Sequence, residues 1–166
     1  MPVTVTRLVS AVFVAVALFA ASPAQLLAGA AGPSVIDDGI VKAKSAYGME
    51  ETIARIKADV AAKGIMFFDE VDQSALAKAA NIDLKPSTLL IFGNPPLGTL
   101  FITAKPEAGL DWPVRLLVYR DDEGQVWTAY TDFGWIARRH HISNRDAQFK
   151  MATEVIASIT GSVAQK

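Results

Sequence analysis

Apolar and polar positions divide the chain into a leader and a patterned body. Leu8 to Ala21 is a run of 14 residues, apolar but for Ser10, ended by Ser22 and Pro23, and Arg7 is the only charge between Met1 and Ala30. A membrane-spanning helix needs about 20 apolar residues, so this run is short for a span. A basic start, an apolar middle and small residues at the end predict a secretory signal peptide over residues 1–30. Cleavage after Ala30 (Ala28-Gly29-Ala30) fits the small-x-small rule, with Ala24 (Ser22-Pro23-Ala24) as the second site and an uncleaved anchor as the alternative.

Ala31 to Asp38 reads as a flexible lead-in to a domain over residues 39–163. Gly39 to Ala46 alternates weakly, as a strand does. Met49, Ile53, Ile56 and Val60 recur at three- and four-residue steps and predict a helix from Met49 to Lys63. Its Glu50 and Glu51 suit the positive end of the helix dipole, and Gly64 supplies a stop. Ile65 to Val71 reads as a strand, Ser74 to Ala80 as a short helix. Ser87 to Phe92 is apolar on both parities and reads as a strand buried on both faces. Gly93-Asn94-Pro95-Pro96 then reads as a rigid turn, because proline fixes φ and cannot continue a central ladder. Leu100 to Thr103 suggests a short strand. Val114 to Tyr119 and Val126 to Thr131 are strands joined through Asp121-Asp122-Glu123-Gly124, a hairpin signal. Phe133 to His141 suggests a short helix. A last helix is expected to be capped by Ser143, with Asp146 three residues on, and to bury Phe149, Ala152, Val155, Ile156 and Ile159. Hairpin-linked strands with helices grouped on one face predict a single α+β domain with an antiparallel sheet.

Composition narrows the function classes. The chain carries 16 basic and 17 acidic residues; loss of residues 1–30 removes one Arg, leaving 15 against 17, a formal net charge of −2. That balance argues against a nucleic-acid partner. Cysteine is absent, which excludes disulfides, thiol nucleophiles and thiolate metal sites. Hydrophobic residues at 51% support a packed core.

Candidate chemistry is sparse. No Gly-x-Ser-x-Gly elbow exists, and Gly93 to Gly98 lacks the Gly-Lys-Ser/Thr ending of a phosphate loop. His140 and His141 are adjacent, so on a helix they point about 100° apart and do not easily share a metal. With Arg138 and Arg139 they form a basic stretch, read either as a contact for an anionic ligand or as a solvated helix end. Asp69, Glu70 and Asp72 crowd a strand end, where like charges raise a carboxyl pKa, although such acids more often enter a turn. Trp112, Trp127, Trp135, Tyr119 and Tyr130 are candidates for an apolar pocket or for core packing.

Several sequence words then occur in a specific order. Met49-Glu50-Glu51-Thr52-Ile53 precedes the strand and acid of Phe67 to Asp72. Leu89-Leu90-Ile91-Phe92-Gly93-Asn94-Pro95 follows, then Gly109-Leu110-Asp111-Trp112-Pro113-Val114-Arg115, Val126-Trp127-Thr128-Ala129-Tyr130 and Arg139-His140. Together these resemble the family called domain of unknown function 302, over about residues 39–163. The resemblance implies a TATA-binding-protein-like fold in β-α-β(4)-α order, with no settled activity. It implies a shared pocket at Asp72, Phe92, Gly93, Asn94, Pro95, Asp111, Pro113, Tyr130 and His140, of which Phe92, Gly93 and Pro113 also suit structural roles. Family members often show Ile-Asp-His where this chain has Val71-Asp72-Gln73, which weakens a metal or haem site here.

The sequence therefore points to an exported periplasmic or secreted protein, a small ligand-binding or accessory module of the cell envelope. Its ligand-binding candidates are Asp72, Asn94, Asp111, Tyr130 and His140. The alternatives are an enzyme with Asp72 as general base and His140 as its partner, and a homo-oligomeric structural protein. The sequence implies no cofactor. The partner is an unidentified small molecule or protein, a homodimer is open, and no membrane anchor remains after cleavage.

Overall fold

A computed structural model describes residue 1, residues 34–35 and residues 38–166. Except for Met1, the expected signal peptide lies outside the described residues. The elements are β1 (Ser34–Val35), β2 (Ile40–Lys44), α1 (Met49–Ala62), β3 (Met66–Asp72), α2 (Gln73–Ala79), β4 (Ser87–Gly93), α3 (Pro95–Ala104), a 3₁₀ turn (Pro106–Leu110), β5 (Val114–Arg120), β6 (Val126–Thr131), α4 (Phe133–Arg139) and α5 (Asp146–Gly161).

The strands form one antiparallel sheet in the order β1-β2-β6-β5-β4-β3. Register follows side-chain parity. Leu90 faces Leu116 across β4 and β5, Val118 faces Thr128 across β5 and β6, and Tyr130 faces Val41 across β6 and β2. These residues lie on one face, and α1, α3, α4 and α5 bury side chains in the same core. Ile56, Leu90, Leu116 and Ile159 are fully buried. Each such side chain contributes about 1.5–3 kcal/mol relative to exposure. This is the α+β architecture expected, with one sheet and α1, α3, α4 and α5 on one side.

Local chemistry sets the ends. Gly64 takes φ +63° after α1, where a side chain would be strained, and the chain turns directly into β3. Two expectations are corrected. The turn at Gly93–Pro96 is a helix start: Asn94 Oδ1 accepts from Leu97 N, and the prolines fill the first positions of α3. The strand expected at Leu100–Thr103 is the second half of that helix. Its β-branched residues suggest a strand, but the cap and the burial of Phe101 decide the matter. Ser143 does not cap the last helix; α5 begins at Asp146 after Arg145, with no side-chain cap.

A buried knot ties the chain's C-terminal end to β2. Ser45 Oγ lies 2.7 Å from Thr52 Oγ1, Ala46 N donates to Val163 O at 2.8 Å, and Gln165 N donates to Lys44 O at 3.0 Å.

Candidate functional site

The site lies at the end of the sheet where β4 stops and β5 begins. Asp111 ends the 3₁₀ turn just before β5, ahead of a cis Trp112–Pro113 bond. Its side chain is only 3% exposed. An unpaired carboxylate would be costly there, and two side chains from α4 and its end and one from β5 answer it. His140, at the end of α4, brings Nε2 to 2.6 Å from Asp111 Oδ2. An ionised carboxylate only accepts, so Nε2 donates. Arg139 Nη1 donates to both Asp111 oxygens at 3.1 Å. Arg115 Nη2 approaches Oδ1 at 3.4 Å and donates to Leu110 O at 2.7 Å. The basic stretch does meet an anion, but the anion is the chain's own.

Beside this cluster lies an apolar cavity of about 350 Å³. Phe92, Phe101, Trp112, Val114, Phe133 and Ile156 form much of its wall, and Lys63 and Asn94 supply polar groups. Phe101 stacks on Phe149 with ring centroids 4.2 Å apart, which stiffens one side. The Trp112 indole packs against bare backbone: a Cβ built on Gly98 would lie 1.8 Å from its Cε2, and one on Gly93 3.0 Å from its Cζ2. Only glycine leaves room for the ring at Gly98. Val114 and Phe133 line both this cavity and the small recess at Asp111, so the ionic cluster braces the cavity from behind.

The structure brings four of the five sequence candidates to this end. Asn94 is on the cavity wall, Asp111 and His140 are hydrogen-bonded, and Tyr130 sits near the end of β6, buried on the helix-covered face. Burial, with Asp132 adding to it, pushes the Tyr130 phenol up to about 12. Asp72 does not join them. It pairs with Thr88 at the opposite end of β4, about 13 Å of strand from Phe92, where Val114 and the Asp111 turn begin. There it caps α2, accepting from Ala75 N at 2.9 Å. The Ala75 amide and the Ser74 hydroxyl hold its carboxyl below the usual range, the reverse of the like-charge effect that crowding suggested. The pairing of Asp72 with His140 is therefore corrected: His140 meets Asp111. Arg139 from the basic stretch and Trp112 from the pocket aromatics both belong to the site, and Gly98 joins them with no signal of its own in the sequence. Among the described residues no hydroxyl hydrogen-bonds His140, and no three His, Cys, Asp or Glu side chains converge to hold a metal.

The family model described as "Domain of unknown function DUF302" matches residues 41–164. A protein of Brucella suis biovar 1 (strain 1330), named "Fluoride-specific ion channel FluC 1", is 37% identical over 132 residues, 80% of this chain and 51% of that protein. Its namesake in Brucella abortus biovar 1 (strain 9-941) is also 37% identical over 132 residues, covering 48% of that protein. The chain thus spans about half the length of the curated relatives it matches. A crystal structure of an uncharacterized conserved DUF302 protein from Bacillus stearothermophilus superposes with a TM-score of 0.69 at 15% identity, over 75% of this chain and 98% of that one. At that identity the likeness concerns the fold.

Proposed function

The chain belongs to the DUF302 family, and from that premise we propose that it is an exported binding module of the cell envelope, holding a small, largely apolar ligand in the cavity walled by Trp112. The carrying observation is the cavity itself. Its 350 Å³ falls within the size range of small-molecule sites, and its aromatic and aliphatic wall with a few polar groups is the composition such sites have. At about 30 Å³ per water-sized unit it suits a ligand on the order of ten non-hydrogen atoms. Arg7, the Leu8–Ala21 run and the small residues at Ala28 and Ala30 support export.

The Brucella relatives support an accessory role. They are named as channels, yet about half of each matches this chain, and no helix among its described residues is long and apolar enough to cross a membrane. A module carried beside a membrane protein, rather than its pore, fits that division.

The test uses protein expressed from the full chain and recovered after export. Its intact mass gives the cleavage point. Titration with an apolar anilinonaphthalene dye should then saturate at one site and change tryptophan emission. The emission change should vanish in Trp112→Phe, and dye binding should be lost in Val155→Trp, which adds bulk at a partly buried position of the cavity wall. Unaltered binding in Val155→Trp, with circular dichroism preserved, would refute the cavity as the site.

A further inference from the structure

The cavity walled by Trp112 is one-sided in its polar chemistry. No acidic side chain lines it among the described residues. The strongly polar side-chain atoms it does offer are donors. Lys63 Nζ gives one hydrogen bond, to Asp59 Oδ1 at 2.6 Å, and an ammonium has three protons to give. Asn94 spends its Oδ1 on Leu97 N, and its amide Nδ2 meets no acceptor among the described residues. The Trp112 indole N–H, which can only donate, meets none there either. The Met151 thioether is a weak acceptor.

Backbone register brings Lys63 and Asn94 to one rim. Met66 opens β3 opposite Gly93, the last residue of β4. Asn94 follows Gly93, and Lys63 precedes Met66 in the turn that leaves α1. Both side chains are exposed, while Phe92, Phe101 and Ile156 of the same wall are buried. Asp59 is not part of the wall, so its pair with Lys63 puts no carboxylate in the cavity.

We propose that the ligand of this cavity is an amphipathic monocarboxylate. Its apolar body lies against Phe92, Phe101 and Trp112, and its carboxylate sits at the rim on Lys63 and Asn94. The inference rests on the reading of the cavity as a ligand site and adds the charge of the ligand. An ionised carboxylate only accepts hydrogen bonds, and here it meets donors, one of them charged. A cationic or hydroxyl-rich head would find only the thioether as a free acceptor among the lining side chains. A wholly apolar ligand would gain nothing from the rim.

Calorimetry on the full-chain product recovered after export compares three probes of similar size: sodium octanoate, 1-octanol and octylammonium chloride. Octanoate, with about ten non-hydrogen atoms, matches the volume. Near neutral pH it should bind at one site, at least about fivefold tighter than 1-octanol. Lys63→Met should weaken octanoate roughly three- to tenfold and leave 1-octanol unchanged, and Lys63→Arg should keep the preference. Asn94→Asp keeps the capping oxygen but replaces the amide donor with a negative charge, so it too should weaken octanoate and spare 1-octanol. Added salt should narrow the gap between the two probes. Circular dichroism is the fold control.

Equal affinity for octanoate and 1-octanol overturns the proposal, as does octanoate binding indifferent to both Lys63→Met and Asn94→Asp. Tighter binding of octylammonium overturns it in favour of Asp59, whose Oδ2 is buried without a partner. Saturable dye binding without octanoate binding overturns the carboxylate and leaves the cavity as a site for another ligand. A wild type that binds neither the dye nor any of the three probes overturns the cavity reading itself.

Discussion

Asp111→Ala is the sharpest probe of the ionic cluster behind the cavity. The substitution removes a carboxylate that is 3% exposed and leaves three donors behind. His140 is only 6% exposed, so its ring N–H loses its acceptor where water does not readily replace it, at roughly 1–3 kcal/mol. Arg139 and Arg115 have side chains 45% and 50% exposed. Both can turn to solvent, so each accounts for about 0–1 kcal/mol. The total is about 1–5 kcal/mol. For a domain of this size that is roughly 3–5 °C in Tm per kcal/mol, or about 3–25 °C. Urea unfolding followed by tryptophan emission should show a lower midpoint at unchanged slope. A cycle with His140→Ala should give a coupling of about 0.5–3 kcal/mol. A loss below about 0.5 kcal/mol for Asp111→Ala, or additivity of the two changes, would refute the view that this carboxylate holds α4 to the start of β5.

Other outcomes follow from the same geometry. Gly98→Ala should displace the Trp112 indole, lower stability by about 1–3 kcal/mol and abolish dye binding, as read by thermal melting and titration. Tyr130, one of three tyrosines, should ionise last, near 12, in an absorbance titration. Because its folded value is raised above the ordinary 10, its contribution is intact below pH 10 and is lost as pH climbs toward 12; Tyr130→Phe should remove that alkaline loss. The Trp127 indole, donating to Asp121 Oδ2 at 2.6 Å, holds the Asp121 carboxyl below its usual value. Its stabilising contribution is present above the ordinary carboxylate range and is lost as pH falls through the depressed value, so Asp121→Asn should flatten the acid limb of the stability profile.

Much of the fold is legible because burial enforces periodicity. The stripe Met49, Ile53, Ile56, Val60 marks α1 almost to the residue, and the acidic turn between Tyr119 and Val126 marks the β5–β6 hairpin. The double-parity apolar pattern of Ser87–Phe92 is legible too, although the structure covers one of its faces with helices and leaves the other half-exposed. What misleads is context. Leu100–Thr103 carries strand-like residues inside a helix, because a cap six residues upstream and the burial of Phe101 outweigh local propensity. The site is half legible: His140 and Asp111 stand out as residue types, but their contact spans 29 positions and no local spacing announces it. Asp72 is conspicuous for the same reason and serves as a helix cap.

The two ends of the folded unit leave from one edge. Ser34 pairs with Lys42 on β2, and Gln165 hydrogen-bonds to Lys44 on the same strand, about 7 Å further along. A unit wired this way is a plug-in: joined to a neighbour at its head or its tail, it hangs from the same corner. Its cavity and outer sheet keep one orientation toward the host in either case.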